Sequence, residues 1–111
     1  MKGSNLGEFE ELVLLSVGIL FDNAYGVTIQ QELLNRCSRK ATLSTIHVAL
    51  HRLEEKGFLD SRFDGATNER GGRRKLLFRV TKAGKVALQN SIEVRNSMWQ
   101  AIPKNALGFT S

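Results

Sequence analysis

The sequence predicts a mostly α-helical fold with a small β-hairpin, arranged as a winged helix-turn-helix and followed by a C-terminal dimerisation helix. Three observations favour this class. The segment LSTIHVALHRLEEKGFL has the apolar period of an amphipathic helix, and Gly57 near its end marks where this helix should stop. Two strand-like runs flank the loop ATNERGGRRK, whose Gly71-Gly72 pair is typical of a hairpin turn. Apolar residues then recur at helical spacing from Leu88 to Ile102.

The length of 111 residues and the charge pattern narrow the classes of protein to consider. One compact domain fits this length. Residues 1–35 contain one basic and five acidic side chains, whereas residues 36–111 contain fifteen basic and six acidic ones. A basic excess in one part of a chain favours a polyanionic partner, and a solubilising surface without a partner is the alternative. No apolar run suggests a signal peptide or a membrane span, so a cytoplasmic protein is expected.

Two helices are predicted before the amphipathic segment. The first covers residues 6–20, with acidic side chains in its first turn, where the helix dipole favours them. Thr28 is the expected N-cap of the second, which should end at residues 38–40. The short connection to the third helix is typical of a helix-turn-helix. Cys37 is the single cysteine, which excludes an intramolecular disulfide, and it is expected to be a small buried apolar residue.

The third helix, expected over residues 44–56 with Ser44 as its N-cap, should turn its apolar residues inward. Its opposite face would present small polar, imidazole and methyl-bearing groups. Such groups can reach base edges and thymine methyl groups in a major groove. The candidate DNA contacts on this face are Ser44, Thr45, His47, Val48, His51 and Arg52. A polar surface helix without a partner is the alternative.

The hairpin is expected to pair residues 58–63 with residues 75–80 around a basic tip. The candidate DNA contacts of this wing are Arg70, Arg73, Arg74 and Lys75. Arginine side chains on a narrow ribbon suit phosphates or a minor groove, although charged loops are usually only solvated. The basic tip and the exposed third helix together favour a protein that binds double-stranded DNA.

A fourth helix should begin after its N-cap Thr81 and end before Pro103. Its apolar band is too wide for one small domain to cover, so we expect it to pack against a second copy in a two-fold dimer. The expected interface residues are Leu88, Ile92, Met98, Trp99 and Ile102. A helix that folds back on its own core is the alternative. The expected organisation is therefore a DNA-binding domain at 1–81, a dimerisation helix at 82–103 and a tail at 104–111.

Ligand, metal and catalytic sites have weaker support in the sequence. Trp99 is a candidate platform for a planar ligand, although a buried interface anchor is the favoured interpretation. His47 and His51 have the spacing of a helical metal pair, but no further ligand is close in sequence, so no metal or cofactor is expected. No phosphate-binding loop and no activated nucleophile are recognisable, so an enzyme is not expected.

Four segments together resemble the PadR family of transcriptional regulators: LGEFEELVLLSV, AYGVTIQQEL, LSTIHVALHRLEEKGFL and ERGGRRKLLFRVTKAGKVAL. The resemblance covers residues 6–88 in order and in spacing, with Tyr25 and Gly26 at the start of the second helix. The chain differs from the common pattern at residues 46–48, which read Ile-His-Val, and its short C-terminal region resembles that of a small subgroup.

The resemblance implies a homodimeric DNA-binding regulator, usually a repressor, that dimerises through its C-terminal helix. Family members often respond to small planar or hydrophobic compounds, so a small-molecule effector is expected. The operator should be a pseudo-palindrome whose half-sites lie about one helical turn, or a multiple of it, apart. A winged-helix module that binds proteins and no DNA is the alternative function.

Overall fold

A computed structural model describes residues 6–64 and 75–108 of the chain. The elements are α1 (Glu8–Leu20), α2 (Gly26–Cys37), α3 (Leu43–Glu55), β1 (Leu59–Phe63), β2 (Leu76–Val80) and α4 (Lys82–Ala101), with 3-10 helices at Phe21–Asn23 and Lys104–Leu107. The described part is therefore mostly helical with one antiparallel hairpin and a long C-terminal helix. This architecture confirms the predicted fold class.

The core lies between the first three helices and the hairpin. Its largest fully buried side chains are Val13, Leu14, Val17, Ile29, Leu33, Ile46, Leu50, Leu53 and Leu59. They come from α1, α2, α3 and β1, so burial of each apolar face holds these elements together. Full burial of one such side chain stabilises a fold by about 1.5–3 kcal/mol relative to exposure. The same burial fixes which face of α3 points outward.

The hairpin is attached to the helices at its base. β1 and β2 are antiparallel, with Leu59 opposite Val80 and Phe63 opposite Leu76. The Phe78 backbone N–H donates to the Ala24 carbonyl at 2.9 Å, which ties β2 to the segment before α2. The hairpin base is therefore held in a defined position beside the start of α2.

Two predicted N-caps are wrong by two or three residues. α2 begins at Gly26 after Tyr25, and Thr28 instead accepts a hydrogen bond from the Tyr25 N–H at 3.0 Å from inside the first turn. The N-cap of α3 is Thr42, whose hydroxyl accepts from the Thr45 N–H at 3.1 Å, and not Ser44. Threonine and serine both cap helices, so local sequence left two suitable residues at the start of α3.

Other local predictions can be compared with the structure directly. Thr81 caps α4 by accepting a hydrogen bond from the Gly84 N–H at 3.0 Å, and Gly57 has a left-handed backbone (φ +83°) after α3; both confirm the predictions.

The prediction that Cys37 is buried is wrong. Its thiol is exposed and donates to the Leu33 carbonyl at 3.3 Å, because the last residue of α2 faces away from the core.

α4 begins on the domain and then leaves it. Only Gly84 and Ala87 of this helix are buried. A Cβ atom on Gly84 would lie 2.3 Å from the Phe58 carbonyl oxygen, so glycine allows the close approach of α4 to the hairpin base. All residues from Ile92 to Gly108 are exposed.

The projecting helix makes the described structure elongated. Its dimensions are 63 × 30 × 20 Å, and its radius of gyration is 17.0 Å, compared with about 13 Å for a compact chain of this length. Among the residues described, α4 from Ile92 onward thus has no residue buried in the core. Within the described ranges, no helix is long and apolar enough to cross a membrane.

Candidate nucleic-acid interface

The exposed face of α3 is the face that the sequence analysis predicted. Ile46, Ala49, Leu50 and Leu53 are buried against the core. The six residues proposed as DNA contacts are all exposed, namely Ser44, Thr45, His47, Val48, His51 and Arg52. Their side chains are therefore accessible to a partner, and their contacts with DNA stay a prediction.

His47 lies against the start of α2. A Cβ atom on Gly26 would be 2.9 Å from His47 Nε2 and 3.3 Å from Cε1, so the imidazole rests on this glycine. The absence of a side chain at Gly26 thus leaves room for the ring beside the exposed face of α3. Sequence analysis did not find this contact, because no local pattern relates two residues on separate helices.

Thr45 and His51 have polar neighbours on α3 and at its cap. The Thr42 hydroxyl donates to Thr45 Oγ1 at 2.9 Å, which leaves the Thr45 hydroxyl hydrogen free to donate elsewhere. His51 Nε2 lies 3.4 Å from Glu55 Oε2, and both side chains are largely exposed. An exposed pair of this kind is weak and requires a protonated imidazole. Both residues can therefore exchange these contacts for contacts with a ligand.

The base of the wing is next to the same surface. Lys75 Nζ lies 4.7 Å from the centroid of the Tyr25 ring, a cation–π distance. Tyr25 precedes the buried Gly26, on which His47 rests, so the hairpin base and the exposed face of α3 are close to each other. Of the four predicted wing residues, only Lys75 belongs to the described residues. The other three (Arg70, Arg73 and Arg74) lie outside them.

The connection between α2 and α3 contains two basic residues, Arg39 and Lys40, that were not among the predicted DNA contacts. Arg39 is held by α1, because its guanidinium donates to both carboxylate oxygens of Glu8 at 2.9 and 3.1 Å. These hydrogen bonds lower the pKa of the Glu8 carboxyl. The adjacent Lys40 is exposed and forms no ion pair with residues 6–64 or 75–108. Lys40 is thus better placed than Arg39 to meet a phosphate.

The predicted interface residues of α4 are exposed to different extents. Leu88 is half-buried, and the exposed fraction is 36% for Ile92, 62% for Trp99 and 67% for Met98. Leu88 and Ile92 also line a surface groove of about 490 Å³ between α1 and the start of α4. The apolar band of α4 therefore continues into an apolar groove on the domain.

The side chains that could hold a metal are not grouped. Among the residues that the structure describes, no three or more histidine, cysteine, aspartate or glutamate side chains are placed to bind one ion. His47 contacts Gly26, and His51 is near Glu55. The two histidines are therefore interpreted as part of the exposed face of α3.

The fold and this surface define a winged-helix protein with an open recognition helix, and comparison with known proteins gives its family. Residues 14–90 match the model described as the transcriptional regulator PadR-like family, so the chain belongs to the PadR-like family. It is accordingly a DNA-binding transcriptional regulator, as the resemblance implied, and membership of this family confirms the prediction that it is not an enzyme.

Solved structures with the same fold include three informative examples. A PadR family transcription regulator from hypervirulent Clostridium difficile has a TM-score of 0.69 and 23% identity, over 89% of this chain and 97% of that chain. A protein from Streptococcus mutans has a TM-score of 0.65 and 26% identity, over 92% of this chain and 89% of that one. Bacillus subtilis PadR in complex with operator DNA has a TM-score of 0.60 and 21% identity, over 77% of this chain and 46% of that one. No curated protein is significantly similar in sequence.

Proposed function

We propose that this regulator is a homodimeric repressor that binds a pseudo-palindromic operator and is released by a small planar or hydrophobic ligand. The observation that carries the proposal is the closeness of the hairpin base to the exposed face of α3. Lys75 lies over the Tyr25 ring, and His47 covers the buried Gly26, the next residue after Tyr25. The fold is shared with Bacillus subtilis PadR, which binds operator DNA.

The exposed side chains of α3 suit direct contact with bases. The hydroxyl of Thr45 and the imidazoles of His47 and His51 can exchange hydrogen bonds with base edges, and Val48 can contact a thymine methyl group. Lys40 and Lys75 flank this face with positive charge and suit the phosphate backbone. We infer that α3 enters the major groove and that the wing contacts the flanking backbone or minor groove.

The apolar band of α4 supports the homodimer. Met98 and Trp99 are mostly exposed, on a helix segment that the described residues leave uncovered. A contiguous exposed apolar surface of this kind marks an interaction site. A second copy is the simplest partner, since its α4 would offer the same band, and the α1–α4 groove continues that band through Leu88 and Ile92.

The effector is proposed from Trp99. Its indole is exposed at the far part of α4, where two copies would bring two such rings close to the two-fold axis. Stacking of a planar compound there would compete with, or rearrange, the contacts between subunits. A change in subunit orientation would move the two copies of α3 relative to each other, and this change would lower affinity for the operator.

The DNA contacts can be tested by titration of duplex DNA at several salt concentrations. Arg73→Ala and Arg74→Ala should each weaken binding to all sequences and reduce the salt slope by about one. Thr45→Ala and His47→Ala should instead reduce discrimination between operator and random DNA by about 1–3 kcal/mol.

Arg79→Ala is the matched control, because the Arg79 guanidinium is already paired with Asp22. It should leave both the slope and the discrimination unchanged. Wild-type protein that binds no duplex DNA at low salt would contradict the proposed function. An unchanged slope for both wing variants would contradict the contact between wing and phosphate.

The dimer can be tested by sedimentation. Trp99→Ala should raise the dissociation constant of the dimer by roughly thirty-fold, since a central aromatic anchor contributes about 2 kcal/mol or more. Gln100→Ala, which removes an exposed polar neighbour, should change it little. A wild-type protein that sediments as a monomer at all accessible concentrations would contradict the homodimer.

A further inference from the structure

Glu11 is unusual among the acidic residues of the described chain because it is buried. Only 4% of its surface is exposed, and it is the only charged side chain in the described ranges that is buried to this extent. Its Oε1 accepts a hydrogen bond from the Ser91 hydroxyl at 3.2 Å and another from the Arg95 guanidinium. Glu11 lies on α1, whereas both donors lie on α4.

This contact sits where α4 leaves the domain. Ala87 is the last buried residue of α4, and Ser91 is one turn further along the helix. Arg95 is a turn beyond Ser91 and is itself partly exposed. The Glu11 carboxylate therefore contacts α4 beyond its last buried residue, Ala87, where the exposed part of the helix begins.

A buried carboxylate that accepts two hydrogen bonds restricts the positions of both donor side chains. Removing water from a charge is costly, and the cost is offset only when the partners keep good geometry. The apolar packing at Ala87 is not directional, so it restricts the orientation of α4 less than a hydrogen bond does. The directional contact of Glu11 with Ser91 and Arg95 thus restricts the tilt of α4 relative to α1.

A small tilt of α4 at its base displaces the far end of the helix by a large distance. A helix of this length spans about 30 Å, so a tilt of about 10° at its base moves its far end by about 5 Å. This displacement is larger than the rise of about 3.4 Å per base pair in DNA. In a dimer joined through α4, such a change would alter the separation of the two recognition helices by more than one base pair.

We propose that Glu11, acting through Ser91 and Arg95, fixes the direction of α4 and thereby selects the half-site spacing that the dimer accepts. This proposal rests on the proposed homodimer and its two-part operator. Glu11 is a positioning residue, since it contacts α4 and does not lie on the exposed face of α3. Loss of the contact should relax the choice of spacing without changing the bases that α3 prefers.

The first experiment measures the direction of α4 without DNA. Spin labels are placed on the natural, exposed Cys37 and on Gln100→Cys, and the labelled protein is diluted with unlabelled protein so that distances within one chain dominate. We expect one narrow distance distribution for the otherwise wild-type chain. Glu11→Gln should broaden it or shift its maximum by several ångströms.

Glu10→Gln is the matched control, because Glu10 is on the same turn of α1 but pairs with Lys56 Nζ at 2.7 Å. It should keep the narrow distribution. An unchanged distribution for Glu11→Gln would overturn the proposal. If Glu11→Gln does not fold, Ser91→Ala and Arg95→Met remove the same contact from the side of α4, and the same comparison applies to them.

The second experiment measures spacing directly. Duplexes carry two copies of a selected half-site, separated by spacers that increase one base pair at a time. The wild-type protein should prefer one spacing by about tenfold or more, and Glu11→Gln and Arg95→Met should reduce that preference to about threefold or less. Arg95→Lys keeps the positive charge and should retain the preference.

Binding to a single half-site should be the same for all these proteins, which separates positioning from a general loss of stability. An undiminished spacing preference in both Glu11→Gln and Arg95→Met would overturn the proposal. Failure of the wild-type protein to bind any duplex would overturn the proposed function instead, and the distance measurement would still decide whether Glu11 directs α4.

Discussion

α3 and α4 both leave a face open to solvent, and the two faces differ in how apolar they are. α3 buries four residues in the core, and its exposed face is mostly polar, although Val48 also lies on it. α4 buries two residues and exposes valine, methionine, tryptophan and isoleucine side chains. Exposure of the polar face costs little, because water solvates it. Exposure of the apolar face is unfavourable and is relieved by contact with another apolar surface.

This contrast matches the two partners proposed above, DNA and a second copy of the protein. The α3 face suits the charged backbone and the base edges of DNA, whereas the α4 face suits a second copy of the protein. The stability of the two regions should differ as well. The winged unit (residues 6–64 and 75–81) supplies all of the described core except Ala87, while α4 from Leu88 onward has no buried residue.

The largest expected difference between the two helices is in their contribution to the stability of one chain. Leu53→Ala opens a cavity in the core at a fully buried position and should lower the free energy of unfolding by about 2–5 kcal/mol. Val94→Ala removes methyl groups from an exposed position on α4 and should change it by less than about 0.5 kcal/mol. Urea unfolding at low protein concentration measures both. Equal losses would show that α4 is part of the same core.

A smaller effect should follow from changing the shape of the α3 surface. Gly26→Ala places a Cβ atom where the His47 imidazole now lies, so the ring must move. Because only the end of a side chain has to shift, stability should change by less than about 1 kcal/mol. Affinity for the preferred operator should fall by about 1–2 kcal/mol, since the base contact proposed for His47 would be displaced.

Val27→Ala, at the next and more exposed position, is the control for this change. A double-mutant cycle tests the mechanism, because Gly26→Ala should have little further effect on discrimination once His47→Ala is present. If the two losses of discrimination are additive, Gly26 affects operator binding by some means other than the position of His47.

The smallest expected effect concerns the surface ion pair that joins α1 to the connection before α3. The hydrogen bonds from Arg39 lower the pKa of Glu8 in the folded protein. The pair therefore contributes stability above the unfolded-state pKa of about 4.3, and this contribution is lost as the pH falls through the folded-state pKa. Glu8→Gln should lower the melting temperature slightly at pH 7 and no longer do so in strong acid. Glu93→Gln, at an exposed position of α4, is the control. A large effect at pH 7 would mean that surface charge contributes to holding the winged unit together.

Much of the fold followed from local patterns. The apolar period of residues 46–53 correctly predicted which face of α3 is buried, and the Gly57 and Thr81 signals correctly marked the end of α3 and the start of α4. The prediction of Ser44 as the N-cap of α3 was wrong, because Thr42, two residues earlier, has a hydroxyl group that accepts the capping hydrogen bond. Cys37 was wrongly expected to be buried, because residue type alone does not show which way the last turn of α2 points.

The helices, the hairpin, the mostly polar α3 face and the family could be predicted from the amino-acid sequence, since they depend on residue order and short-range spacing. Three contacts could not be predicted in this way: His47 on Gly26, Lys75 over Tyr25, and Glu11 with Ser91 and Arg95. Each of these contacts joins residues far apart in the chain. They form because burial of the common core brings separate helices to fixed positions, and no local pattern records the result.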